Sequence, residues 1–222
     1  MEIKPPIIQL ALDYSTVEEA LAMAGIGVKA GVDWLEAGTP LIVSQGVGAV
    51  GRIKKAFPDH PVLADYKTMD SGGKNVMLTK QQGAQVMTVC GGAADETIRS
   101  AVAVSRETGV RVVADLIGVK QQGPRAWQCA EWGVHMIYLH YGADQRRADG
   151  SKDSVQWLDE VLDAVPIPIG VGTFGVEDAV RAVSKGASLV AIGHPVISGP
   201  DPLGELTEYV AKVRAAWRPR PA

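Results

Sequence analysis

The sequence predicts an α/β protein folded as a single (β/α)8 TIM barrel, and three observations carry that prediction. About eight apolar segments of strand length alternate with segments of helical pattern along the 222 residues, the order expected of strand-then-helix units around a parallel sheet. The strand segments are continuously apolar, as strands buried on both faces are. No linker or composition break divides residues 1–222, so one domain accounts for them. An open doubly wound sheet is the rival, but the glycine fingerprint that marks its first turn is missing after Asp13.

The units follow in order. Residues 7–13 are an apolar run ending in an acid, and Ser15 with Glu18 has the spacing of a capping box opening a helix that runs to about residue 29 before Gly31. The next burst, 34–38, carries Glu36 near its end. A helical segment at about 44–57 leads into the strand that opens at Val62 and stops being apolar at Asp65 and Lys67, with Asp70 just before a Ser71-Gly72-Gly73 turn. Because side chains alternate across a strand, Asp65 and Lys67 share one face with Leu63 below them.

A helix at about 71–82 precedes the strand 86–89, and Asp95 is expected to cap the helix that ends near Gly109. Residues 110–115 form a fifth strand ending in Asp115, with a helix at about 122–132 after it. The sixth strand, 136–140, ends in His140. The polar loop 141–150 behind it is too long and charged to be a mere connector. A helix at 154–165, a proline-bounded strand at 167–171, the turn Gly172-Thr173-Phe174-Gly175 and a helix opened by Glu177 and Asp178 make the seventh unit. The strand 188–192, the turn Gly193-His194-Pro195 and a helix at about 202–217 make the eighth, and 218–222 should be a flexible tail.

Composition excludes several functions. With 46% hydrophobic and 21% charged residues and a net charge of −3, the chain has the balance of an ordinary globular protein. A pI near 5.8 and 5% aromatics provide neither the basic footprint nor the stacking platforms of nucleic-acid binding. Cys90 and Cys129 are too few and too distant for a disulfide framework or a zinc module, so a reducing compartment is expected. The first residues lack the plan of a signal peptide, and no apolar run reaches membrane-spanning length. The expectation is a cytoplasmic protein.

In a barrel of this kind the site lies at the carboxyl ends of the strands. Asp13, Glu36, Asp65, Lys67, Asp115 and His140 all end apolar strands. Taken singly, each can be read as a cap or a barrel-closing residue, and a lone Asp-x-Lys as a weak salt bridge. Six together are hard to explain as structure, because clustered negative charge repels itself unless a lysine or a bound cation neutralises it. The cluster therefore predicts a divalent metal. Carboxylate oxygens with open positions suit Mg2+, and Glu36 and Asp65 are the candidate ligands. A zinc site would want histidines at close spacing, whereas His60, His135, His140 and His194 are dispersed; His60 is expected in solvent and His135 in a structural role. The other half of the site is a phosphate cradle: the turns holding Gly172 and Thr173, and Gly193 and His194, would leave backbone N–H groups for a phosphate.

At these residues the chain resembles a known family. Leu10-Ala11-Leu12-Asp13, Glu36-Ala37-Gly38-Thr39-Pro40, Leu63 through Asp70, Asp115 through Val119 and His140 through Asp144 are similar, in order and spacing, to the orotidine 5′-phosphate decarboxylase suprafamily. Within it they sit nearest 3-hexulose-6-phosphate synthases and 3-keto-L-gulonate-6-phosphate decarboxylases. The resemblance implies a homodimeric barrel in which the Asp70 loop completes the partner's site, with one Mg2+ per site. It also implies a sugar-phosphate substrate taken through an enediolate. By carry-over, Glu36 and Asp65 hold the metal, Lys67 with Asp70 stabilises the enediolate, Asp13 and Asp115 orient substrate hydroxyls, and His140 moves protons.

Two departures direct the choice within the family. Where the decarboxylases have an arginine three residues after the strand-six histidine, this chain has Ala143, which favours the synthase reaction of ribulose 5-phosphate with formaldehyde. His194 stands where relatives often place an arginine against the phosphate. The alternatives are a sugar-acid phosphate decarboxylase, with Arg146 or Arg147 replacing the missing arginine, and a phosphosugar-binding protein without turnover. A pentose-phosphate epimerase is disfavoured, since its metal site wants more histidines than these strand ends supply.

Overall fold

Among residues 4–220, which the computed structural model describes, eight strands pair in sequence order, all parallel, and β8 closes against β1. They are β1 (Ile7–Leu12), β2 (Trp34–Ala37), β3 (Val62–Thr68), β4 (Val86–Cys90), β5 (Arg111–Asp115), β6 (Met136–Leu139), β7 (Ile169–Gly172) and β8 (Leu189–Ile192). The helices are α1 (Val17–Ala30), α2 (Thr39–Gln45), α3 (Gly48–Ala56), α4 (Gly72–Gln81), α5 (Asp95–Thr108), α6 (Gln122–Trp132), α7 (Ala143–Ala148), α8 (Leu158–Ala164), α9 (Val176–Ser184) and α10 (Pro202–Ala216). The expected (β/α)8 barrel is the fold.

The alternation of side chains along each strand divides the apolar residues into two sets. Ile7, Trp34, Leu63, Val86, Val113, Met136 and Leu189 point inward and fill the bottom of the barrel. Their neighbours Ile8, Leu35, Val62, Met87, Val112, Ile137 and Val190 point outward, in the larger core beneath the helices. A strand with both faces buried has to be apolar at every position, which is why the segments read as continuous runs. Two residues beyond the first six of these come Gln9, Glu36, Asp65, Thr88, Asp115 and Tyr138 respectively, while Leu189 is followed at that spacing by the apolar Ala191. The barrel thus has an apolar floor and a polar second storey, and the period of two carries one into the other.

Several local expectations shift. The N-cap of α1 is Thr16, not Ser15: its hydroxyl accepts from Glu19 N–H at 3.3 Å and donates to the Glu19 carboxylate at 2.6 Å. Asp95 is the first residue of α5, behind Ala94 at the cap, and its carboxylate pairs with Arg125 at 2.8 Å. The helix expected at 44–57 starts later, as α3 at Gly48, and a separate α2 precedes it, ended where Gly46 takes a backbone with φ 73°. Part of the polar loop 141–150 folds as α7. Of the tail expected to be flexible, Arg218 N–H donates to Val183 O at 3.1 Å and the Arg220 guanidinium to Val165 O at 2.5 Å; residues 221–222 lie outside the described residues. His135 accepts from Val112 N–H at 3.1 Å, as a structural histidine should, and burial lowers its pKa. Cys90 and Cys129 are both buried and free. Among the described residues no helix is long and apolar enough to cross a membrane.

Candidate active site

The polar storey opens into a narrow cleft lined by Gln9, Glu36, Leu63, Asp65, Lys67, Thr88, Val113, Met136, Tyr138, His140 and Leu189. At its centre the Lys67 ammonium makes a very short contact with Asp65 Oδ2 and lies 3.6 Å from Asp115 Oδ2. Lys67 reaches this position from a left-handed backbone, φ 45°, that is rare for a residue with a Cβ. Burial alone would lower the lysine's pKa, but the charges of Asp65, Asp115 and Glu36 outweigh it and hold the group above the ordinary range. It is an ammonium throughout physiological pH.

Asp65 is held on both oxygens. Thr88 Oγ1 donates to Oδ1 at 2.8 Å, and Thr39 Oγ1 lies 2.7 Å from Oδ2 and 3.1 Å from Lys67 Nζ. Burial would raise this carboxyl, yet the Lys67 charge and these hydrogen bonds keep it below the usual aspartate value. Glu36 has the opposite fate: burial, then the negative charges of Asp65 and Asp13, push it well above its ordinary value. Its Oε2 accepts from Gln9 Nε2 at 2.5 Å. His140 places Nδ1 2.9 Å from Asp115 Oδ2 and stands edge-on to Tyr138, with ring centroids 5.5 Å apart. The Tyr138 hydroxyl is so close to Gly172 that a Cβ there would come within 2.9 Å of it, so glycine at 172 is what lets the phenol sit over the cleft.

The groups sequence reasoning selected are not all in one place. Glu36, Asp65, Lys67 and His140 line the cleft. Asp13 stands at its mouth, against Gly38, where burial of the barrel rim and the Asp65 charge raise its pKa. His194 is exposed beside it, its ring 5.7 Å from that of Tyr14 and its Nδ1 on Ser198 Oγ. Asp115, expected to orient substrate hydroxyls, is 0% exposed, with Oδ2 facing His140 and Lys67 and Oδ1 accepting from Ile117 N–H at 2.9 Å. Both of its oxygens are engaged by groups of the chain itself. Asp70 is exposed at the end of β3, 3.4 Å from Ser71 Oγ, and does not line its own chain's cleft.

The cradle after β7 also differs from expectation. Thr173 is buried, donating N–H to Ala191 O at 2.9 Å while its hydroxyl contacts Ala191 O at 2.7 Å and the Tyr209 hydroxyl at 2.8 Å. Phe174 and Gly175 give their N–H groups to the Asp178 carboxylate at 2.7 and 3.0 Å. A carboxylate of the chain itself thus occupies the start of α9. Thr173→Val is accordingly expected to cost about 2 kcal/mol of stability, by stranding the buried Tyr209 hydroxyl. A urea melt set beside the KM for substrate measures this; a KM that rises with no change in stability would return Thr173 to the binding site.

Sequence reasoning missed Gln9, Thr39, Thr88 and Tyr138. A signal existed for Gln9 and Thr88, which interrupt apolar strands at inward positions; Thr39 lies at the start of α2 and has no such mark.

The residues present fit a hard divalent cation. Four carboxyl groups, those of Asp13, Glu36, Asp65 and Asp115, face one ammonium and one imidazole, and the buried Gln9 Oε1 beside Glu36 has no hydrogen-bond partner among the described residues. Of the two Asp65 oxygens, Oδ2 is saturated by Thr39 and Lys67, while Oδ1 keeps a lone pair. Among the described residues no three His, Cys, Asp or Glu side chains converge as a ready-made cage. Mg2+ takes one or two protein carboxylates and keeps several of its waters.

Comparison with known proteins gives a consistent set of relatives. Residues 6–209 match the model of the "Orotidine 5'-phosphate decarboxylase / HUMPS family". The chain is 34% identical over 208 residues to a 3-hexulose-6-phosphate synthase of Mycobacterium gastri, covering 93% of this chain and 99% of that protein. The crystal structure of a 3-hexulose-6-phosphate synthase from Salmonella typhimurium superposes with a TM-score of 0.89 at 31% identity, covering 95% and 99%. A 3-keto-L-gulonate-6-phosphate decarboxylase from Vibrio cholerae, at 21% identity and a TM-score of 0.82 over 97% and 100%, shares the fold.

Proposed function

Because this chain belongs to the orotidine 5′-phosphate decarboxylase / HUMPS family, we propose that it is an aldehyde-lyase of the 3-hexulose-6-phosphate synthase type, joining formaldehyde to ribulose 5-phosphate with Mg2+ bound. The observation that carries this reading is the Lys67 ammonium set between Asp65 and Asp115 in a cleft shared with Glu36 and His140. The names and identities of the synthases at 31–34% support the same substrates.

The chemistry proceeds from the groups in the cleft. The ketose loses a proton from C1, the electron pair moves into the C1–C2 bond, and the C2 oxygen becomes an oxyanion. C1 then adds to formaldehyde, whose oxygen takes up a proton. With Nδ1–H donated to Asp115, the His140 Nε2 keeps its lone pair for that proton and can return it. Lys67 is too strongly held as an ammonium to be the base; its role is to face the developing oxyanion. Asp13, at the mouth, accepts from substrate hydroxyls, and Gly172, Gly193 and His194 receive the phosphate. Mg2+ held by Glu36 and Asp65, with Gln9 Oε1 beside them, would supply a second positive charge next to the same oxyanion.

Asp70 enters this scheme from the partner in a homodimer. It and the 58%-exposed Met69 protrude together from the end of β3, and the cleft of their own chain does not include them. The decarboxylase reading would need Arg146, which stacks on Phe174 at 5.2 Å and donates to Lys152 O, or Arg147, which pairs with Asp144 at the surface, to turn into the cleft. The test is formaldehyde consumption by the purified protein with ribulose 5-phosphate and Mg2+. Consumption should stop with EDTA and return with excess Mg2+. No consumption under any metal, or CO2 release from 3-keto-L-gulonate 6-phosphate at a higher kcat/KM, would remove the synthase assignment.

A further inference from the structure

β3 and β4 fall out of step where the working groups lie. Ala64 pairs with Met87 and Thr68 with Val89, so Asp65, Tyr66 and Lys67 all stand opposite the single residue Thr88. Such a bulge leaves backbone groups without their ladder partners. Here the 3%-exposed Thr88 side chain fills in for the ladder: its Oγ1 accepts from Lys67 N–H at 2.9 Å and donates to Asp65 Oδ1 at 2.8 Å. One hydroxyl therefore ties the left-handed backbone of Lys67 to the carboxylate that Lys67 contacts.

We infer that Thr88 is a positioning residue whose hydroxyl fixes the Asp65–Lys67 pair in its working geometry through the β3 bulge. The inference rests on the reading of Asp65 and Lys67 as working groups, but its physical core is independent of the substrate. Without the hydroxyl, Lys67 N–H has no acceptor in a buried bulge, and its left-handed conformation loses the bond that compensates the strain. The chain would relax toward ordinary strand geometry, and the ammonium would move off the site of the developing oxyanion. Asp65 Oδ1 would also lose the bond that aims its remaining lone pair.

Thr88→Val keeps the shape and strand preference and removes the hydroxyl; Thr88→Ser keeps the hydroxyl. In Thr88→Val, kcat should fall about 100-fold with KM for ribulose 5-phosphate changed by less than about threefold, because positioning is lost and binding is not. Thr88→Ser should stay within about fivefold of the parent kcat. A purely structural role would lower the melting temperature of both variants and leave the kcat of folded protein unchanged. Should Thr88→Val not fold, Thr88→Ala carries the same comparison. A kcat in the hydroxyl-free variant within about threefold of the parent, or a serine variant as impaired as the valine one, would overturn the inference.

Amide hydrogen exchange at Lys67, read by NMR, keeps the test separate from the assigned reaction. Its rate should rise about tenfold or more in Thr88→Val and not in Thr88→Ser. If the parent consumes no formaldehyde, the functional assignment fails while this measurement still decides the role of Thr88; an unchanged rate in Thr88→Val would refute it.

Discussion

Lys67→Met should lower kcat by about 1,000-fold or more, the scale of losing a preorganised charge aimed at an oxyanion. Methionine keeps most of the length of the side chain, so the cleft stays filled and the effect isolates the charge. The step affected is enediolate formation, which can be watched without formaldehyde: in D2O, the parent with ribulose 5-phosphate and Mg2+ should exchange the C1 proton for deuterium. The variant should fail at that exchange. A variant exchanging within about tenfold of the parent would show that Lys67 is not the group facing the oxyanion. The same change removes the cation shared by Asp65 and Asp115, of which the latter is fully buried. A stability loss of about 3 kcal/mol is expected from breaking such a pair.

Glu36→Gln should separate function from stability in opposite directions. The glutamate is buried, and its pKa is raised by that burial and by Asp65 and Asp13. A folded-state pKa above the unfolded value means that this group's stabilisation is complete below its ordinary value of 4.5 and is lost as pH rises toward the folded value. Near neutral pH and without metal, the buried carboxyl is therefore a burden on the fold. Glutamine fills the same space and carries no charge to neutralise. Metal-free Glu36→Gln is expected to melt higher than the metal-free parent at pH 7, the difference vanishing below pH 4.5. Its Mg2+ affinity by calorimetry should fall about tenfold or more. A variant that melts lower than the parent yet binds Mg2+ equally well would show that Glu36 has a structural role and holds no cation.

Both experiments bear on groups that were legible in the sequence, and the reason is the period of two. An acid or lysine two residues past an inward apolar residue has to enter the barrel, so Leu63 made Asp65 readable and Met136, by way of Tyr138, made His140 readable. Asp115 was readable as a position. Its place two residues after Val113 put it inside, but only the folded barrel reveals that His140 and Lys67 pack against its Oδ2. The surroundings of Thr173 were hidden for a related reason: a polar residue in a glycine turn can face the ligand or the core, and its partner Tyr209 lies 36 residues away on α10. The loop 141–150 looked unstructured because it has no apolar period, yet six of its residues close a short helix.

By itself, the sequence determined the barrel and the charged groups at its strand ends, since repeating strand-helix units and side-chain alternation are local properties of a chain. Tertiary structure alone decided how those residues divide the work. The hydroxyls of Thr39 and Thr88 meet Asp65, the Gln9 amide meets Glu36, and three residues of β3 face one of β4, because register between strands is a contest among distant side chains that no local pattern records. The positive charge of Lys67 and the reluctance of Glu36 to ionise have the same origin, burial beside particular neighbours, which exists only once the barrel has closed.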